Sequence, residues 1–207
     1  IVQDKSNIIS DQINHAESSI RLLSDFVSTQ MTERELKNPN EIFAKYTGQL
    51  PFDLIEYIRW DGLNFMNSSY GGEPFDASER PYYKEGIKGN SGIWANFKPK
   101  VAKEVLLNFY TPLYYNGEIS GVITGAIGET TSLKPKFSSS FFGHQVQSFI
   151  CDENYVVISS ACEDINPGLH LKKWGSIDIL ANFIEHSKMN VSEPFKYKIN
   201  GKEAYCY

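Results

Sequence analysis

The segment "EVLLNFYTPLYYNGEISGVITGAIG", residues 104–128, determines the fold class of this 207-residue chain. Two runs rich in aromatic and β-branched residues flank Asn116-Gly117, a dipeptide that favours the left-handed conformations of a tight hairpin turn. Asp61-Gly62 divides "FDLIEYIRWDGLNFMNSS", residues 52–69, in the same way. These hairpins predict an antiparallel sheet, because parallel strands need a long crossover connection.

A long helix is predicted before this sheet. Apolar residues recur in steps of four and three from Ile9 to Val27, and neither Gly nor Pro interrupts residues 2–31. Such a helix would be about 42 Å long at 1.5 Å per residue, which exceeds the width of a small domain. We interpret it as a spine that extends past one domain or pairs with a copy of itself, and the alternative is a core helix of a bundle.

Shorter helices are predicted at three further places. Asn40 caps a helix over residues 41–46, and Ser176 caps one over residues 176–187. Within "DASERPYYKEGIKG", residues 76–89, Asp76 and Glu79 form a capping-box pair and Gly89 ends the helix.

Residues 144–207 repeat the pattern of hairpins and a helix on a smaller scale, with one hairpin in "VQSFICDENYVVISS" and another at Asn200-Gly201. The fold class is therefore α+β. We predict a spine helix over residues 1–38, a larger sheet module over residues 39–130 and a smaller one over residues 131–207. The last strand has no partner after it, so we expect the smaller module to be truncated and the chain to be part of a longer protein.

Composition and motifs argue against several functions. The net charge is -5, and the densest basic run, "KPKVAK" at residues 98–103, is too short to bind nucleic acid. The sequence contains no run of 18 apolar residues, which is about the length that a membrane-spanning helix needs. Three cysteines cannot complete a disulfide framework, and whether any of them pair is left open. No metalloprotease, hydrolase, phosphate-loop or calcium-loop motif occurs, so we expect neither an enzyme nor a cofactor or metal site.

The order of these elements resembles the double Cache domain, also called the PDC or PAS-like sensor domain. The sharpest match is "DASERPYYKEGIKGNSGIW", residues 76–94, followed by "LLNFYTPLYYNGEISGVITGAI", residues 106–127. The resemblance covers nearly the whole chain. It implies a periplasmic or extracellular sensor between two transmembrane helices of a bacterial receptor. The implied output module is a diguanylate cyclase, a histidine kinase or a chemotaxis transducer, with general likeness favouring the first.

The same resemblance implies that Arg80 and Tyr82 contact a ligand in the membrane-distal module. A guanidinium suits a carboxylate or a phosphate, because it presents five donors in a planar fork. The alternative for Arg80 is a surface salt bridge with Asp76, Glu79 or Glu85, which contributes little. Strand alternation adds further candidates, for which ordinary core packing is the alternative. On the strands they are Tyr57, Trp94, Asn96, Tyr110 and Thr124, and Tyr83 is a further candidate beside Tyr82 on the short helix.

The expected ligand is an anionic or neutral polar molecule rather than an α-amino acid. Amino-acid-binding members of the family place acids near the end of the last distal strand and after the strand of Trp94. Here the first region has Gly125 or Ala126 in place of the acid, and the second has Asn96 and Lys98 but no acid. An unpaired ammonium would be poorly solvated there. Two alternative functions are a ligand-free structural module, dimerising through the N-terminal helix, and a solute-binding or adhesion protein.

Overall fold

The computed structural model divides the chain into two compact units, Ile9–Pro135 and Lys136–Tyr207 together with Ile1–Ile8. The larger unit carries the candidate site. The structure describes residues 2–30, 32, 43, 46, 48–67, 74–96, 98–99, 102–133, 139–141, 144–146, 149–152, 154–161, 165–173, 195–199 and 202–206.

Helix α1, Val2–Gln30, confirms the predicted long N-terminal helix. Its buried stripe follows the four-three spacing of the sequence and consists of Ala16, Ile20, Leu23 and Val27. The buried Ser24 lies between two of these positions, and its Oγ donates a hydrogen bond of 2.8 Å to the carbonyl oxygen of Pro112. The helix is therefore held against the sheet by a polar contact as well as by apolar burial.

A six-stranded antiparallel sheet forms the body of the larger unit, in the order β3-β2-β1-β6-β5-β4. The α+β class is thereby confirmed. The strands are β1 Leu54–Arg59, β2 Leu63–Asn67, β3 Phe75–Asp76, β4 Gly92–Asn96, β5 Leu106–Tyr115 and β6 Glu118–Gly128. A π-helical turn, Glu129–Leu133, follows β6.

Both predicted hairpin turns of this sheet are confirmed. Asn116 and Gly117 have φ angles of 51° and 83° between β5 and β6, as a two-residue turn with both residues left-handed requires. Gly62, with φ of 85°, connects β1 to β2 and donates its backbone N–H to the carbonyl oxygen of Arg59 at 2.8 Å. These two turns fix the central strands as antiparallel neighbours.

The short helix α2, Pro81–Gly86, begins later than the predicted capping box. Asp76 instead ends β3, where it pairs with Leu63, and its Oδ1 accepts the backbone N–H of Ser78 at 2.8 Å. Arg80 is the extended N-cap residue, without a side-chain cap, and Pro81 sets the first helical φ. The capping-box prediction is wrong because strand pairing and a local turn engage Asp76 before the helix begins.

Three two-stranded ladders make up the described part of the smaller unit. The hairpins predicted near residues 146–160 and at residues 200–201 are confirmed, since Cys151 pairs with Val157 and Ile199 with Lys202. The strands are β7 Ser139–Phe141, β8 His144–Val146, β9 Phe149–Cys151, β10 Val157–Ser160, β11 Phe195–Ile199 and β12 Lys202–Cys206, and a 3-10 turn spans Leu171–Lys173.

Cys151 carries a free thiol. The helix predicted at 176–187 lies outside the described residues, as does the one at 41–46 apart from Phe43 and Tyr46. Among the helices that the structure describes, none combines the length and the apolar character needed to cross a bilayer.

Candidate functional site

One face of the sheet packs against α2, and this helix-facing side carries the candidate site. Residues that pair directly across antiparallel strands share a face, and so do residues two apart in a strand. Ile58 of β1 and Val122 of β6 form a buried cluster with Tyr82 and Tyr83 of α2. Strand alternation therefore places Glu56 on the helix-facing side as well.

Helix α2 lies unusually close to the sheet because its last residue has no side chain. A Cβ added to Gly86 would lie 2.6 Å from Cγ1 of Val122, well inside van der Waals contact. A glycine at this position therefore permits the helix to seat directly on β6. The same contact holds the tyrosines of α2 over the neighbouring strands.

Four polar side chains are buried on the helix-facing side, each on a different strand, and we call them the polar floor. Their exposed fractions are 0% for Asn64, 4% for Glu56, 0% for Thr124 and 1% for Asn108. Glu56 pairs directly with Thr124, whose Oγ1 donates a hydrogen bond of 3.0 Å to Glu56 Oε2. Burying such groups is unfavourable unless they are hydrogen bonded, so the polar floor requires an explanation.

The amides of the polar floor are incompletely satisfied by the part of the chain that the structure describes. Within it, Oδ1 of Asn64 and Nδ2 of Asn108 have no hydrogen-bond partner. An unsatisfied buried polar group costs about 1–3 kcal/mol, and native proteins contain few of them. A donor and an acceptor without a partner among the described residues thus lie on the same side of the sheet as a buried carboxylate.

The charges around Glu56 connect the polar floor to the start of α2. Burial raises the pKa of Glu56, while hydrogen bonding to Thr124, the nearby amide of Asn64 and the positive charge of Arg80 act in the opposite direction. Burial also raises the pKa of Tyr82, and the negative charge of Glu56 adds to that shift. Arg80 and Tyr82 therefore lie within electrostatic reach of the carboxylate.

Two of the three acids considered as surface partners of Arg80 pair with lysines instead. Glu79 pairs with Lys84 at 2.5 Å, and Glu85 pairs with Lys88 at 2.7 Å. Within the described residues, the Arg80 side chain makes one hydrogen bond, from Nη1 to the carbonyl oxygen of Lys98 at 3.3 Å. The long distance leaves the planar fork of the guanidinium suited to a further acceptor.

Tyr57, predicted as a site residue, lies on the other face of the sheet. Its ring stacks on Phe65 with centroids 6.2 Å apart, and its hydroxyl donates to the carbonyl oxygen of Ser120 at 3.0 Å. Burial raises the pKa of Tyr57 to about 12. Because Tyr57 is next to Glu56 in β1, alternation turns it away from α2, and we assign it to the core.

The remaining predicted residues lie on or beside the helix-facing side, where ligand contact stays a prediction. Tyr110 pairs with Thr124, and Trp94 is 42% exposed on the edge strand β4. Asn96, on the same strand, accepts the backbone N–H of Lys98 at 3.1 Å through Oδ1. The hydroxyl of Tyr83 donates to the carbonyl oxygen of Trp60 at 2.7 Å, so it anchors α2 to the β1–β2 turn.

Sequence reasoning missed Glu56 and Asn64 as candidates, and for Asn108 it went no further than strand alternation, which places it on one face with Tyr110. The available signal was the acid in "LIEYIR", residues 54–59, which is otherwise a strand of mostly apolar residues. Strand alternation places the side chains of Glu56 and Tyr57 on opposite faces of the sheet, as the structure has them. It could not show which face packs against α2, because β1 is buried on both faces.

No protein-family model matches the sequence, and no curated protein matches it. Solved structures do match. The sensory domain of the Campylobacter jejuni chemoreceptor Tlp3 with isoleucine bound has a TM-score of 0.73 and 17% identity, over 98% of this chain and 82% of that one. The chain has the fold of a chemoreceptor sensory domain.

Two further structures of this fold come from Pseudomonas chemoreceptors. The ligand-binding domain of Pseudomonas aeruginosa PctC, in complex with GABA, has a TM-score of 0.68 and 14% identity, over 94% of this chain and 84% of that one. The ligand-binding domain of Pseudomonas fluorescens CtaA, in complex with L-serine, has a TM-score of 0.65 and 12% identity, over 99% and 89%. At such identities the likeness establishes the fold.

The sequence-based argument against an α-amino acid ligand is wrong. Domains of this fold are solved with isoleucine, L-valine, L-serine and L-arginine bound. The argument looked for an acid near Ala126 and Lys98 only. The structure instead places a buried carboxylate at Glu56, on the strand that pairs with β6.

Proposed function

We propose that this chain is the extracytoplasmic ligand-sensing domain of a membrane-bound receptor and that it binds a small amino acid or a related amino compound. The fold supports a sensor rather than an enzyme, because the similar structures are ligand-binding and sensory domains of chemoreceptors. The ligands in those structures support the amino-compound class. The binding region is the helix-facing side of the sheet, between the polar floor and the start of α2.

The observation that carries this proposal is the set of unpaired amides in the polar floor. Asn64 and Asn108 are fully buried, and among the described residues neither Oδ1 of the first nor Nδ2 of the second has a partner. A protein that needed only stability would gain by replacing them with apolar side chains. Their retention next to Glu56 and Arg80 fits a site whose hydrogen bonds are completed by a ligand.

The wider architecture follows from the same reasoning. We propose that the two units are the membrane-distal and membrane-proximal modules of a double Cache sensor, with residues 39–130 and 131–207 as their approximate extents. The similar structures belong to chemoreceptors, so a chemotaxis transducer is favoured over a diguanylate cyclase as the output module. The domain would then lie outside the cytoplasmic membrane.

Signal relay requires a ligand that binds one conformation more tightly than another. Arg80 and Tyr82 approach the site from α2, whereas Thr124 and Glu56 belong to the sheet. A ligand that contacts both sets would draw α2 onto the sheet. We propose that this closure is the first conformational step of sensing.

A thermal-shift panel of the twenty L-amino acids and GABA, followed by calorimetric titration of each hit, tests the function. Ligand at a hundred times its dissociation constant adds about 2.7 kcal/mol to the unfolding free energy, so a hit is easily seen. We expect Arg80→Ala to abolish the shift. Lys84→Ala is the matched control, since it removes an exposed cation of the same helix that pairs with Glu79.

A native chain that binds none of these compounds would contradict the proposed ligand class. If it also showed no response to a broader set of organic acids and amines, the ligand-free structural module would be the better description.

A further inference from the structure

We propose that Glu56 selects the ligand by binding a positively charged amino group, with Oδ1 of Asn64 as a second acceptor for that group. This inference rests on the proposed function and assigns a residue and a chemistry to the same site. It makes Glu56 a specificity-determining residue. It is independent of the acids that the sequence-based argument looked for, because those were expected on other strands and are absent there.

The hydrogen-bonding capacity around Glu56 matches an ammonium group. An ionised carboxylate only accepts hydrogen bonds and has about four lone-pair positions. The hydroxyl of Thr124 occupies one of them, and the amide of Asn64 lies near enough to lower the pKa. The Oδ1 of Asn64 is a buried acceptor that has no partner within the described ranges. An ammonium has three donors and no acceptor, so it can satisfy both groups at once.

The opposite end of an amino acid also finds complementary groups. Nδ2 of Asn108 is a buried donor for which the described residues supply no acceptor, and Arg80 offers a guanidinium at the start of α2. Both suit the oxygens of a carboxylate. The site therefore offers acceptors around Glu56 and donors elsewhere, which fits a zwitterion better than a simple anion.

A purely structural role explains Glu56 poorly. A carboxylate that is 4% exposed costs free energy through desolvation, and its pKa is raised for that reason. Besides Thr124 and Asn64 on the neighbouring strands, the charged or titratable groups acting on it are Arg80 and Tyr82 from the α2 side. A glutamine would keep the hydrogen bond from Thr124 without the burden of a buried charge.

The test compares amino compounds with analogues in which a hydroxyl replaces the ammonium. L-isoleucine, L-valine, L-serine, L-arginine and GABA are each titrated, beside the matching hydroxy acid, into the native chain, Glu56→Gln and Glu118→Gln. Glu118 is an exposed acid at the β5–β6 turn and serves as the matched control. Because breaking a buried charge pair costs several kcal/mol, we expect the native chain to prefer at least one amino compound by about a hundredfold.

In Glu56→Gln, the amino compound should bind about a hundredfold more weakly, and the preference over its hydroxy analogue should shrink to less than tenfold. Glu118→Gln should match the native chain. Thr124→Val keeps the carboxylate while removing its hydrogen bond, so it should weaken binding less and retain the preference. Denaturation of each variant establishes that the comparison is made on folded protein.

The possible failures can be told apart. If Glu56→Gln binds with the native preference, or if the native chain binds a hydroxy analogue as tightly as its amino counterpart, the role of Glu56 is overturned while the sensor function stands. If the native chain binds no compound of either series, the proposed function fails and the role of Glu56 fails with it.

Discussion

The two faces of the larger sheet differ in how completely their side chains are satisfied. The face opposite α2 carries buried apolar residues such as Ile55, Phe109 and Ile123, and its buried Tyr57 donates a hydrogen bond to Ser120. The helix-facing side buries a carboxylate and two amides with unpaired atoms. The side chains of the face opposite α2 stabilise the fold. The polar groups buried on the helix-facing side reduce stability but can bind a ligand.

Adjacent residues of single strands show the contrast most sharply. Glu56 and Tyr57 are neighbours in β1, and Asn108 and Phe109 are neighbours in β5. In each pair, one side chain packs on the satisfied face and the other belongs to the polar floor. Substitutions at neighbouring positions should therefore affect different properties of the protein.

The largest stability effect is expected for Phe109→Ala. Phe109 is fully buried and its ring lies 6.0 Å from that of Phe52, so truncation leaves a cavity and should cost about 3–5 kcal/mol. Urea denaturation measures this loss. If Phe109→Ala cost no more than a surface substitution, this face would not be the core that the contrast assumes.

Glu56→Gln should make stability less sensitive to pH. The folded-state pKa of Glu56 is raised above the ordinary 4.5, so its contribution is fully present below about pH 4.5 and is lost as pH rises through the folded-state pKa. At neutral pH the glutamine variant should therefore be at least as stable as the native chain. Denaturation midpoints from pH 4 to pH 8 measure the difference, and a variant that loses stability most at neutral pH would show that the charge is favourable.

Tyr57→Phe should cost about 1 kcal/mol through loss of the hydrogen bond to Ser120. Ligand affinity should remain at the native value, because the hydroxyl lies away from α2. Parallel denaturation and titration compare the two effects. A large loss of ligand affinity with little loss of stability would show that Tyr57 belongs to the binding site and not to the core.

Asn108→Leu is expected to have the smallest effect on stability, within about 1 kcal/mol or slightly favourable, because it replaces a buried amide, whose Nδ2 has no partner among the described residues, by an apolar group of similar size. Its effect on binding should be much larger, since the donor for the ligand is removed. A variant that loses several kcal/mol of stability would indicate that the amide is satisfied within the protein.

The elements of the fold that depend on local chemistry could be predicted from sequence. The buried stripe of α1 follows apolar spacing, and Asn116-Gly117 adopts the conformations that its turn demands. The start of α2 could not be predicted locally, because Asp76 pairs with a distant strand. Arg80, Tyr82 and Thr124 were identified as site candidates, whereas the choice of face in β1 depended on where α2 packs. That packing is a tertiary contact of Val122 with Gly86.

The side-chain amide resonances of Asn64 and Asn108 offer the most direct test of the binding site. A nitrogen–proton correlation spectrum of the native chain would be recorded with and without the tightest-binding amino compound from the panel. The Nδ2 resonances of both residues should shift strongly, while the backbone amides of Ile55 and Tyr57 should change little. Shifts confined to other regions, with both side-chain amides unchanged, would contradict a ligand site on the helix-facing side.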